Sequence, residues 1–253
     1  MKRLRIPVLL LLLLALCGRV YGDGTFITRH KCTDLKGNFL WEAAVTITPS
    51  GSDPDTYILV EEGKGRFSGY KGESSRKSEM RFISKSGSIR PLEMKSSVFS
   101  PEGRLIAEAK QEFDPSGGSV ACCARDLVKD TCRTRSFKLK GDTINRLLTG
   151  LYARQMIEEG GKEKTVNMLS EEPALYRVTL RVTGKETIEV NGRRREAFKV
   201  CIDPNIGLLT PVKFFLPKNY TWFSCEPPYE WLKFVGLEES IDSPMVEITT
   251  LDN

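Results

Sequence analysis

From Phe39 onward, apolar and polar residues alternate in run after run, and this period of two constrains the fold more than any other feature. Leu92, Met94 and Val98 alternate with Glu93, Lys95 and Ser97. Leu105, Ala107, Ala109 and Phe113 alternate with Glu108, Lys110 and Glu112. The clearest run sets Tyr176, Val178, Leu180 and Val182 against Arg177, Thr179, Arg181 and Thr183. Successive side chains of a strand point to opposite faces, so each run reads as a half-buried antiparallel strand. Turn-rich tetra- to hexapeptides separate them: SGSDPD, KSGS, SPEG and DPSGG. FLWEAAVTIT, TYILVEE, RFSGY and MRFIS read as further strands, as does the cysteine-bearing SVACCA. Asn191-Gly192 is a strong hairpin signal because both residues tolerate positive φ. On its return strand Phe198, Val200 and Ile202 share one face, with Lys199 and Cys201 on the other. The chain turns again at Pro204–Gly207, and the tail carries KFFLP, YTWFSC, WLKFVGL and MVEITTL.

One stretch breaks the pattern. In Asp142–Glu158, Ile144, Leu147, Leu148, Leu151, Tyr152 and Met156 recur at helical spacing and share a face. Asn145, Arg146, Arg154, Gln155 and Glu158 lie off that stripe. Asp142 is the expected N-cap, and Gly160-Gly161 the expected stop. Gly150 costs the helix about 1 kcal/mol relative to alanine, so the apolar stripe needs a packing surface. It either covers a face or opening of the sheet, or forms a lid over a ligand cavity.

The chain has 253 residues. Its first 22 read as a signal peptide: Lys2, Arg3 and Arg5 precede an apolar run over Ile6–Leu16, and Val20-Tyr21-Gly22 places cleavage between Gly22 and Asp23. The alternative is a lipid anchor on Cys17, although Leu16 precedes it where a lipobox wants a small residue. Residues 1–22 hold four of the 38 Lys and Arg and none of the 33 Asp and Glu, leaving 34 against 33 and a net charge of +1. That balance gives no reason to expect nucleic acid as a partner, and cleavage would leave no integral membrane segment. Residues 23–253 read as a single β-rich extracytoplasmic domain, with no repeat or linker to divide it.

Six cysteines would remain: Cys32, Cys122, Cys123, Cys132, Cys201 and Cys225. An even number in an exported chain points to disulfides. Cys201 on a half-exposed strand and Cys225 near the end of the next one are expected to pair, with Cys132 taking Cys122 or Cys123 and Cys32 the other. Cys122 to Lys140 reads as an irregular basic loop, either solvated and stapled by its cysteines or binding anions such as phosphate or lipid headgroups.

Catalytic chemistry is sparsely supplied. His30 is the only histidine, and it is expected in a flexible first stretch, which disfavours Ser-His-Asp, Cys-His and mixed zinc sites. CxxC, Walker and dinucleotide motifs are lacking. No catalytic, cofactor or metal residue is assigned. The acidic pairs Glu61-Glu62 and Glu171-Glu172 could do acid–base work only if burial shifted their members apart. Asn219-Tyr220-Thr221 fits a glycosylation sequon, relevant only in a eukaryotic secretory pathway.

The order of these elements resembles an exported bacterial family, domain of unknown function 3108. The resemblance spans Phe39 to Leu251: the helix at 142–158, its glycine break, YRVTLRVTGKETIEVNG with EAFKVCI after it, and the closing PMVEITTL. The six cysteines depart from the cysteine-poor pattern of that family. The resemblance implies a periplasmic, β-rich protein without an assigned activity, and it supplies no functional residues. The expectation is a mainly β fold, a long curved antiparallel sheet or open barrel with one main amphipathic helix at about 142–158. The expected role is a non-enzymatic envelope protein binding a lipid or other hydrophobic ligand between curved sheet and helix. A structural protein with a filled core and a carboxylate-dependent hydrolase are the alternatives.

Overall fold

In the computed structural model, residues 25–51, 53–205, 217–238 and 243–251 are described. The leader at 1–22, its Gly22/Asp23 junction, Cys17 and most of KFFLP lie outside them. The strands in chain order are β1 (Phe26–Asp34), β2 (Phe39–Pro49), β3 (Thr56–Gly65), β4 (Ser74–Lys85), β5 (Ser88–Phe99), β6 (Leu105–Phe113), β7 (Ser119–Asp126) and β8 (Thr131–Lys138). They continue as β9 (Thr143–Asn145), β10 (Glu163–Leu169), β11 (Leu175–Val190), β12 (Arg193–Asn205), β13 (Asn219–Ser224), β14 (Trp231–Leu237) and β15 (Met245–Leu251). A 3-10 turn, Arg146–Leu148, leads into the helix α1 (Thr149–Glu158).

All fifteen strands join one sheet in the order β8-β7-β6-β5-β4-β3-β2-β1-β15-β14-β13-β12-β11-β10-β9. Each strand from β1 to β8 pairs with its sequence neighbour, as short turns require, and β1 joins the C-terminal run by pairing with β15. Asn191 and Gly192 both have positive φ, at 53° and 73°, and the β11–β12 ladder closes on them from Val190↔Arg193 outward. The expected mainly β class, with a curved unclosed sheet and, among the described residues, a single α-helix, is what forms.

The sheet curls until β9 approaches β5. Side chains, not a backbone ladder, hold that seam. Gln111 on β6 donates through Nε2 to the Ser170 carbonyl at 2.7 Å, while its Oε1 accepts from Asn145 Nδ2 at 2.8 Å. Both side chains are fully buried, so each polar atom needs such a partner. Phe113, Val120 and Cys122 of β6 and β7 close on Leu169 of β10 in the same region.

The helix lies inside this curl. Ile144, Leu148, Tyr152, Ala153, Met156 and Ile157 pack with Ile47, Leu59, Met80, Phe82 and Met94 from one side of the sheet and Val166, Val178, Leu180, Val200 and Phe223 from the other. Being enclosed, α1 is buried on more than its apolar stripe, so Arg154 and Gln155 are buried as well. Asp142 is not the cap. Residues 143–145 run as a strand parallel to β10, and the side chain of Asn145 accepts from the Leu147 N–H at 2.8 Å. A β-ladder, invisible to local periodicity, holds the first residues of the expected helix. Its end is as expected: Gly160 has φ 69° and Gly161 N–H bonds the Met156 carbonyl at 2.8 Å.

Three further expectations are corrected. RFSGY is not a strand, because the chain turns out of β3 at Gly65 (φ 140°), where a Cβ would lie 2.4 Å from the Leu40 carbonyl. Phe67 then stacks on Trp41 at 5.4 Å between ring centroids. The basic stretch from Cys122 is not an irregular loop but the β7–β8 hairpin, registered from Asp126↔Thr131 to Ser119↔Lys138. Its charges are dispersed over partners: Arg125 to Glu108, Lys129 to Asp126, Arg133 to Glu172.

The third correction concerns the six described cysteines, none of which is in a disulfide. Cys201 stands opposite Tyr220, whereas Cys225 donates its N–H to the Glu196 carbonyl. From Glu196 to Cys201 the strand advances about 16 Å at roughly 3.3 Å per residue, well beyond a disulfide's reach. Cys32 is enclosed by Trp41, Phe67 and Val246, and Cys122 by Phe113, Val120 and Leu169, so no bond joins those two either. Cys123 and Cys132 do face one another, with sulfurs 4.0 Å apart on the exposed side of the hairpin.

Candidate functional site

The curl leaves a cavity of about 540 Å³ beside the helix. Its apolar wall comes from Val45, Ile47 and Leu59 on β2 and β3, Ile202, Phe223 and Ile248 on β12, β13 and β15, Leu147 in the 3-10 turn and Leu151 on α1. The two leucines pack against the edge of the core but, unlike Leu148, are only half-buried, because they also line the open space. Trp41, Phe67, Trp231 and Phe234 line another part. Each indole that lines it is satisfied: Trp231 Nε1 donates to Thr221 Oγ1 at 2.9 Å, and Trp41 Nε1 to Glu238 Oε1 at 2.7 Å.

His30 is part of this wall, not of a flexible arm. It lies on β1 between Ala43 of β2 and Thr250 of β15. Its ring is 4.6 Å from Trp231 by centroids, and Nε2 is 3.0 Å from Thr28 Oγ1. Burial lowers its pKa below the usual imidazole value, against a weaker upward pull from Glu61. The imidazole is therefore neutral at neutral pH. The alternation of Thr28, His30 and Cys32 in the sequence could have revealed this strand, but the run is polar and carries no apolar stripe.

A charged cluster borders the cavity near the helix start. Arg76 of β4 is ion-paired with Glu171, and Arg146 places Nη2 3.3 Å from Glu171 Oε1 and 3.4 Å from Glu61 Oε1. Ser96 donates to Glu171 at 3.4 Å, and its hydroxyl meets that of Ser78 at 2.9 Å. Burial pushes the Glu171 carboxyl up, but the charges of Arg76 and Arg146 and their hydrogen bonds outweigh it and hold it down at about 2. The two acidic pairs of the sequence are thus split by strand or loop geometry. Glu61 and Glu171 face inward, while Glu62 and Glu172 pair outward with Lys77 and Arg133. A carboxyl held near 2 stays ionised at neutral pH and has no proton to give, so Glu171 is unsuited to general-acid work.

The cysteines do not contribute to this wall. Burial raises the pKa of Cys32, with Glu238 adding to it, and pushes the Cys122 thiol up to about 11. No group of three or more metal-ligating side chains occurs among the described residues. Likewise, no described helix is long and apolar enough to cross a membrane. Comparison with protein-family models, curated protein sequences and solved structures returns no match.

Proposed function

We propose that the protein is an exported, non-enzymatic envelope protein that holds a lipid or other hydrophobic small molecule between its curved sheet and its helix. The observation that carries this reading is the cavity of about 540 Å³ beside α1. Small-molecule sites typically enclose about 300–1,000 Å³ behind mostly apolar walls with a few placed polar groups. Close packing leaves few voids larger than a water in an ordinary interior, so an apolar space of this size favours a ligand over a filled structural core. The basic and apolar leader at residues 1–22 supports export, and the resemblance to domain of unknown function 3108 supports a periplasmic destination.

Native mass spectrometry of protein purified from cells that export it tests the reading. The expected result is an adduct whose mass is that of a hydrophobic small molecule. Leu151→Trp, which puts an indole into the cavity, is expected to remove the adduct without unfolding the chain. A bare polypeptide mass, together with no uptake of a neutral lipophilic dye, would sink the reading.

A further inference from the structure

Most glycines near the cavity have a packing reason to be glycine. A Cβ on Gly63 would press on the Phe67 ring at 3.0 Å and the Glu42 carbonyl at 3.1 Å. One on Gly236 would come within 2.4 Å of the Asn219 side chain. Gly150 is different. It lies within the helical segment, where glycine is the poorest former after proline, and its φ is not positive. A Cβ built on it meets no heavy atom within 4 Å, and the residue lines the cavity. Neither backbone conformation nor packing within the chain accounts for it. It leaves a notch in the cavity-facing side of α1, flanked by Arg146 one turn before and Arg154 one turn after.

The charges around the notch restrict what can occupy it. Arg146 is shared by Glu61 and Glu171, Arg76 is held by Glu171, and Arg154 donates Nε to Glu158 at 3.0 Å. Farther along the wall Arg195 meets Glu230 at 3.2 Å, and Glu238 accepts from Trp41 and from the Ser68 N–H. A charged ligand entering here would have to displace one of these partners or stay uncompensated in a largely apolar space, and neither is favourable. An ester, hydroxyl or amide oxygen brings no such cost and can hydrogen-bond to the Thr28–His30 pair.

We infer that the ligand is a net-neutral amphiphile, an acyl chain ending in an uncharged oxygen-bearing head, and that its chain lies against the helix backbone in the notch at Gly150. This rests on the cavity being a binding site and adds the ligand's charge class and its seat.

The test uses the full mature chain, stripped of bound lipid, and displacement of the neutral dye Nile red. The competitors are monooleoylglycerol and oleate at pH 8, both below their micellar concentrations. They share one acyl chain and differ in head charge. Monooleoylglycerol is expected to displace the dye at a concentration at least tenfold below that of oleate. Gly150→Leu is expected to weaken monooleoylglycerol at least tenfold with an unchanged or higher Tm, and Gly150→Ala to raise Tm by a few degrees while weakening it less. If Gly150→Leu does not fold, Gly150→Ala carries the same test through its opposite effects on Tm and affinity. Oleate binding as tightly as the glyceride would overturn the neutral class. Variants that bind like the parent would overturn the seat at Gly150. A protein that takes up no Nile red at all refutes the cavity reading, and this inference with it.

Discussion

Replacing Glu171 by glutamine should unfasten the seam of the curled sheet. Glu171 sits in the β10–β11 turn but bonds inward, to Arg76 on β4 and Arg146 at the helix start. The Arg76 side chain is 9% exposed and that of Glu171 is 20% exposed, so the pair is largely screened from water. The carboxyl is held at about 2 against an ordinary 4.5. A folded-state pKa below the unfolded one means stability that is fully present above about pH 4.5 and lost as pH falls toward 2. The difference in pKa corresponds to about 3 kcal/mol, comparable with the ~3–5 kcal/mol lost when one partner of a buried pair is removed. Glu171→Gln is therefore expected to lower stability by about 3 kcal/mol at pH 7, or roughly 6–12 °C in Tm for a chain of this size. Urea melts of parent and variant between pH 2 and 7 measure this. The gap should be level from pH 7 to about 4.5 and close on further acidification. Glu172→Gln, which frees only the exposed pair with Arg133, should cost at most about 1 kcal/mol at any pH. A gap below about 1 kcal/mol at pH 7, or one that persists unchanged to pH 2, would refute the argument.

Three shorter predictions concern other parts of the fold. Leu148 is fully buried whereas Leu151 faces the cavity, so Leu148→Ala should cost about 2–5 kcal/mol in urea unfolding and Leu151→Ala clearly less. Equal losses would contradict the assignment of faces. Limited alkylation at neutral pH followed by peptide mapping should label Cys132 first, because hydrogen bonds from Thr134, Arg125 and Cys123 lower its pKa and raise its thiolate fraction. Cys32 and Cys122 should react only after denaturation, and early labelling of either would show that its cluster opens. Gly192→Val should cost about 1–3 kcal/mol, since φ at that position is 73° and a β-branched residue is strained there. A neutral substitution, read by Tm, would mean the hairpin turn relaxes into another type.

The strands were legible wherever one face is buried and the other wet. The run around Val178, Leu180 and Val182 alternates because its inward residues meet the helix, and the same holds for Met80 and Met94. Sheet order was legible only in part. Sequence neighbours pair through short turns, but the β1–β15 ladder that joins the two halves pairs residues over two hundred positions apart, and nothing local encodes it. The failed Cys201–Cys225 pairing is the cost of that limit: the two strands were placed side by side correctly, and the register was missed. His30 was misread for a related reason. Its strand is identified by its neighbours β2 and β15, not by its own composition. Arg76 and Glu171 lie far apart in sequence and carry no signature, so the charged cluster could not have been read beforehand. Gly150 was legible as an anomaly, a helix-weakening residue inside the best helix, although its reason was not.

The cavity itself follows from lengths. The helix has 10 residues and spans about 15 Å at roughly 1.5 Å per residue. Strands β3 and β5, with 10 and 12 residues, span about 33–40 Å at roughly 3.3 Å per residue. Even laid along the strands, α1 covers less than half of the trough they form. The sheet cannot collapse onto the uncovered part, because every strand except the edge strands β8 and β9 is tied to two neighbours and its curvature is fixed across the seam by Gln111, Asn145, Arg76 and Glu171. Uncovered trough therefore remains as space, and the chain lines much of it with apolar residues such as Ile202, Phe223, Trp231 and Ile248, its charged groups gathering around Glu61, Arg76 and Arg146. An apolar lining that the protein does not itself fill loses dispersion contacts on its open side. Stability alone gives no return for that loss, whereas the proposed apolar ligand would restore the contacts.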